Sequence, residues 1–165
     1  MKGRVMREQL LRIIEKNSRI DLSEVAIILG VEEETIVNEL AALEAEGIIC
    51  GYHTMIDWDK TDVEQVQALI EVRVTPQRGR GFEQIAERIY RYPEVSSTYL
   101  MSGGYDLMVI LEGKTLKEVS TFVTDKLSTI DEVTSTATHF ILKRYKDHGT
   151  VMQKKKKDER EVFTP

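Results

Sequence analysis

Gly30-Val31 is the point in this chain that leaves the fewest choices for its fold. Before it, Leu22, Val25, Ala26 and Leu29 recur at the spacing of one helical face. After it, Ile36, Leu40 and Leu43 do the same. A glycine between two such runs stops the first helix sharply, because it enters the left-handed conformation without steric cost. Upstream, Met6, Leu10, Ile13 and Ile14 stand at i, i+4, i+7 and i+8, so a longer first helix offers both runs a common apolar face. That helix should stop near Asn17-Ser18. Asp21 and Glu24 form a capping-box start for the second helix, and Gly47 stops the third. Three helices joined this way make a helix-turn-helix, with a plain three-helix bundle as the less specific alternative. Residues 48–52 and 54–56 read as extended, forming a small wing and a connector.

After a polar stretch the period changes. A strand is expected over 68–74, a helix over 81–92 ended by Pro93, and a strand over 94–102. Gly103-Gly104 then turns a hairpin into a third strand over 106–112. A helix over 115–128, with Leu116, Val119, Phe122, Val123 and Leu127 inward, and a last strand over 133–143 complete β-α-β-β-α-β. That order predicts a ferredoxin-like antiparallel sheet with both helices on one face. Strand four carries apolar residues on both sides (Ala137 and Ile141; Phe140 and Leu142), so the open sheet face is expected to pair with a second copy. The fold class is therefore α+β: a winged helix-turn-helix over 1–52, an extended linker over 53–67, a βαββαβ domain over 68–145 for sensing and oligomerisation, and a charged tail over 146–165.

Composition narrows the function classes. Hydrophobic residues at 41% and charged residues at 31% fit a folded protein. No apolar run approaches the roughly 20 residues that span a bilayer, and no secretory signal is visible, so no membrane partner is expected and the cytoplasm is the expected location. The single cysteine, Cys50, supplies neither a disulfide framework nor a metal cluster. His53, His139 and His148 share no ligand spacing and pair with no nucleophile, so an enzyme, a cofactor and a metal are not expected.

The charge distribution matters more than the net charge of −5. Residues 1–19 hold six Lys/Arg against two acids, whereas residues 20–59 hold ten acids and no Lys or Arg. The tail carries Lys154 to Lys157 followed by Asp158 and Glu159, a pattern read as a solvated segment.

The arrangement resembles the leucine-responsive regulator family (Lrp/AsnC). The resemblance covers roughly residues 5–145. It rests on Ile14-Glu15-Lys16-Asn17-Ser18-Arg19 at the end of helix one and Leu43-Glu44-Ala45-Glu46-Gly47-Ile48-Ile49 at the exit of helix three. Gly104-Tyr105-Asp106-Leu107 in the hairpin and Thr134-Ser135-Thr136 at the start of the last strand complete it. The resemblance implies a metabolite-responsive transcription regulator that binds double-stranded DNA as a dimer, stacks further into an octamer, and takes a small effector such as an amino acid. Carried over, the effector residues are Ser102, Gly103, Gly104, Tyr105, Asp106, Thr136 and Thr138. An Asp106 carboxylate would take an ammonium group and glycine N–H groups a carboxylate. The alternative is that the glycines only turn the chain and Asp106 only satisfies loop amides.

The third helix departs from the family pattern. Its start carries Glu32, Glu33 and Glu34, where the family places a Ser or Thr cap, and Asn38 and Glu39 occupy its usual basic positions. Acids suit a helix N-terminus, but within a Debye length of about 8 Å they repel phosphates. Attraction to DNA is then expected from Arg4, Arg7, Arg12 and Arg19, with Thr35 and Asn38 contacting phosphate or base. Two rival functions follow. One is a sensor or protein-interaction module of this fold with weak or lost DNA binding. The other is an enzyme similar to the tetrapyrrole decarboxylases, for which the histidines offer no pocket chemistry.

Overall fold

A computed structural model describes residues 2–75 and 81–152, with side chains from Val5 onward. The chain divides into two compact units, Met1–Ile56 and Asp57–Pro165.

The first unit holds α1 (Lys2–Lys16), α2 (Leu22–Leu29) and α3 (Glu33–Ala45). Leu10, Ile14, Val25, Ala26, Ile36 and Leu43 form its core, with Ile13, Leu22, Leu29 and Leu40 packed around them. The helical spacing selects these inward residues, but Met6, expected on the same face of α1, is not part of this cluster. Asp21 caps α2 by accepting the Ser23 backbone N–H at 2.9 Å. The reciprocal arm expected from Glu24 is not among the bonds the described residues make. Gly30 turns the chain at φ 66°, where a Cβ would crowd the backbone, and its N–H reaches back to the end of α2. Gly47 does the same after α3 at φ 70°. The wing is a correction. Residues 48–52 and 54–56 form no strand, because the described residues of this unit hold no second strand to satisfy their backbone groups.

The second unit is a four-stranded antiparallel sheet in the order β2-β3-β1-β4, with β1 at Val66–Val74, β2 at Val95–Leu100, β3 at Leu107–Gly113 and β4 at Val133–Phe140. Two helices cross over it, α4 (Phe82–Tyr90) and α5 (Leu116–Phe122), the second continued by a π-helical turn at Val123–Leu127. Ala68, Ile70, Val72, Leu107, Val109 and Leu111 alternate inward on the two central strands and meet Ile85, Ile89, Val119 and Phe122 of the helices. This is the expected ferredoxin-like topology.

Four local expectations are revised. Leu116 is 57% exposed, because it opens α5 just after its Thr115 cap, ahead of the turn that packs inward. The hairpin between β2 and β3 is a loop over residues 101–106 and not a two-residue glycine turn. β4 ends at Phe140, short of 143. Residues 146–152, read as the start of a charged tail, instead form a small hairpin: β5 (Lys146–Asp147) pairs with β6 (Thr150–Val151). His148 at φ 42° and Gly149 at φ 81° make the two-residue turn whose twist matches paired strands. Met152 follows it, buried, and its carbonyl accepts from Lys60 Nζ at 3.1 Å. The lysine run 154–157 lies outside the described residues.

Candidate functional site

Two sets of expected functional residues can be traced, one in each unit. In the first unit, Thr35 and Asn38 stand three residues apart on α3 and are both exposed, so they share an outward face. Glu32, Glu33 and Glu34 are exposed beside them, and Glu32 makes no side-chain cap. Arg12 and Arg19 are exposed, and the side chain of Arg4 lies outside the described residues.

Arg7 is engaged elsewhere. Its Nε donates to the Glu39 carboxylate and its Nη2 donates to Glu46 Oε1 at 2.6 Å. One guanidinium thereby ties α1 to Glu39 on α3 and to Glu46, which caps its end. Both bonds hold Arg7 in its charged form, and the bond from Arg7 pulls the Glu46 carboxyl below its ordinary value. The signal in the sequence was the pair Glu39 and Glu46, seven apart on one helical face opposite a basic first helix. A depressed carboxyl contributes stability above its unfolded value near 4.5 and loses it as pH falls through the folded value. The head is therefore expected to lose stability on acidification from pH 5 to pH 3 more steeply in the native protein than in Glu46→Gln. Helical circular dichroism at the two pH values checks this. Tyr52, at the other edge, donates its hydroxyl to Glu44 Oε1 at 2.7 Å, which raises the phenol above its ordinary value.

In the second unit, the loop over 101–106 is pinned at its end. Met101 N–H donates to the Asp106 carbonyl at 2.8 Å, and Asp106 N–H donates to the Val72 carbonyl at 3.1 Å. The Asp106 side chain accepts the Val74 N–H through Oδ2 at 2.9 Å, where the register between β1 and β4 shifts. Ser102, Gly103 and Gly104 are exposed, and the half-buried Tyr105 sets its hydroxyl 3.9 Å from Met108 Sδ. On the other flank of β1, Thr136 pairs with Val72 and Thr138 with Ile70. The loop and the last strand, some thirty residues apart in sequence, therefore meet the same end of β1 from opposite sides. Thr138 lies one strand repeat further along and is exposed.

His139 Nε2 stands 3.3 Å from Glu71 Oε1 on the open sheet face, and His148 Nδ1 stands 2.8 Å from Asp147 Oδ1 in the small hairpin. Among the described residues, no group of three or more His, Cys, Asp or Glu is placed to hold a metal ion. No described helix is long and apolar enough to cross a membrane.

Comparison with known proteins covers both units. A family model described as the Lrp/AsnC ligand binding domain matches residues 67–151, so the small hairpin falls within it. The chain is 49% identical over 158 residues to the uncharacterised HTH-type transcriptional regulator YugG of Bacillus subtilis, covering 95% of each chain. Among solved structures, that of AsnC from Escherichia coli matches with a TM-score of 0.66 at 21% identity, over 90% of this chain and 97% of that one. The complex of the Neisseria meningitidis regulator NMB0573 with L-Met matches with a TM-score of 0.67 at 23% identity, over 86% and 91%.

Proposed function

This chain belongs to the Lrp/AsnC family of HTH-type transcriptional regulators, which are not enzymes, and from that premise we propose that its α3 face contacts DNA while the end of β1 receives an amino-acid effector. The observation that carries the effector half is the convergence of the 101–106 loop and Thr136 on Val72. The Asp106 carboxylate accepts a single bond there, from the Val74 N–H, so it keeps a fixed position while retaining acceptor capacity for an ammonium group. The exposed backbone at Gly103 and Gly104 offers N–H groups to a carboxylate. An α-amino acid carries both groups, and the Neisseria meningitidis neighbour was solved with L-Met.

Calorimetric titration with the common amino acids, L-Met first, tests this. One of them is expected to bind, and Asp106→Asn is expected to weaken it roughly tenfold or more, because a charge-assisted bond becomes a neutral one. Asp106→Ala carries a second expectation. Losing the Val74 partner costs about 1–3 kcal/mol, so its melting temperature falls as well. Binding unchanged in Asp106→Asn would leave the residue as loop scaffolding only.

The open sheet face supports pairing. Leu69, Met108, Ile110, Tyr99 and Ala137 stand on the side away from the helices by their strand register. Light scattering is expected to give a dimer or a multiple of it, with an octamer as the larger assembly, and a monomer would contradict the reading. Contact with DNA would combine Thr35 and Asn38 with the exposed Arg12 and Arg19, while Arg7 would stabilise the head. The three exposed glutamates at the start of α3 favour a second reading, a head that meets a basic protein partner. Absence of DNA binding at low salt would select it.

A further inference from the structure

A cavity lies at the far end of the sheet from the 101–106 loop. It is an open cleft of about 930 Å³ between the segment 58–65, the start of β2, the end of β3 and α5. Trp58, Val63, Leu111, Val119 and Phe122 give it an apolar lining. Its polar lining is unbalanced: Glu64, Glu94, Glu112, Glu118 and Asp125 face three lysines. One of those lysines is already committed. Lys126 Nζ binds Glu94 Oε1 at 2.6 Å and lies 5.2 Å from the ring centres of Tyr92 and Phe122. Glu112 is held by the amides of Gln65 and Gln67, each at 3.1 Å.

Hydrogen bonding is unbalanced in the same direction. Gln65 Oε1 and Glu94 Oε2 are buried acceptors with no donor among the described residues. A buried acceptor without a donor is costly, and two on one cleft mark a place where a donor belongs. Excess negative charge, orphan acceptors and an apolar lining together select a hydrocarbon body bearing N–H donors and a positive charge. The volume is within the range of small-molecule pockets. We propose that this cleft is a second small-molecule site, for an apolar ammonium compound such as an aryl-alkyl amine. The ammonium sits against Glu94 and Gln65, and the aryl group lies beside Trp58.

Trp58 is the single tryptophan of the chain, so its emission reports on the cleft. The full-length protein is titrated with phenethylamine and, separately, with 3-phenylpropionate, which has the same aryl-ethyl body and the opposite charge. A saturable change in Trp58 emission is expected with the amine and none with the acid. Glu94→Gln is expected to weaken the amine roughly tenfold by removing the charge-assisted bond. Glu64→Gln, which leaves the Lys126 ion pair intact, is expected to weaken it less. No saturable change, equal response to the acid, or native affinity in both variants would overturn the proposal. The titration involves neither DNA nor amino acid, so its outcome is separate from that of the β1 effector reading.

Discussion

Leu43→Ala is expected to unfold the head and abolish DNA binding while the sheet domain stays folded. Leu43 is fully buried and shares its core with Leu10, Ile14, Val25, Ala26 and Ile36. Removing a buried leucine side chain costs about 2–5 kcal/mol, because the cavity it leaves collapses only in part. The head, Met1–Ile56, is small, and a unit of that size buries a modest fraction of its surface. At roughly 0.05–0.15 kcal/mol per residue its whole stability is of order 3–8 kcal/mol, so the substitution removes much or all of it. The sheet domain has its own core, including Ile70, Val72, Ile85, Leu107 and Leu127. Thermal melting followed by helical circular dichroism should show an early transition that Trp58 emission, reporting from the second unit, does not follow. Coincident transitions at a lowered temperature would mean that the two units fold as one.

Replacing Glu32, Glu33 and Glu34 together by glutamine is expected to tighten DNA binding at low salt by at least an order of magnitude. The three carboxylates are exposed at the start of α3, next to Thr35 and Asn38 on the face proposed to meet DNA. A duplex carries one phosphate charge per roughly 1.7 Å of axis, and a carboxylate within a Debye length of about 8 Å is repelled by several of them. The gain should shrink as salt is raised, because screening weakens a repulsion that only the native protein has. The substitution has an opposing cost. Acids at a helix N-terminus favour the helix by about 0.3–1 kcal/mol each, so the variant head should melt earlier even as it binds more tightly. Tighter binding together with lower stability would separate the functional effect of these residues from their structural one. Affinity unchanged at low salt would remove the start of α3 from the DNA interface.

The helix-turn-helix was legible in the sequence because its signal is local. The spacing of Leu10, Ile14, Val25, Ala26, Ile36 and Leu43 selects the buried faces, and Gly30 needs a left-handed φ that only the turn supplies. The β-α-β-β-α-β order was legible for the same reason, from period changes and from breakers such as Pro93. What escaped was set by long-range partners. Arg7 read as a free cation on a basic helix, but Glu39 and Glu46 claim it from more than thirty residues away. The wing read as extended because isoleucine-rich residues favour strands, yet the described residues of the head hold no partner strand for it. The small hairpin at 146–151 was hidden by its charged composition, although His148-Gly149 between two short runs is a turn signal. Within the proposed effector region the candidate residues came from the resemblance, and their arrangement did not. The bond from Val74 to the Asp106 carboxylate depends on a register shift between β1 and β4 that no local pattern encodes.

On the proposed reading, a head with acidic residues at the start of α3 still works as the DNA-binding part of an effector-responsive regulator. The most direct measurement is equilibrium binding of the full-length protein to the control region of its own gene, at 50 mM and 200 mM salt, with and without the amino acid found by calorimetry. A dimer neutralising about six phosphates should lose roughly a thousandfold in affinity across that salt range, and the amino acid should shift the curve at either concentration. No specific binding at 50 mM salt, with or without the amino acid, would contradict the account.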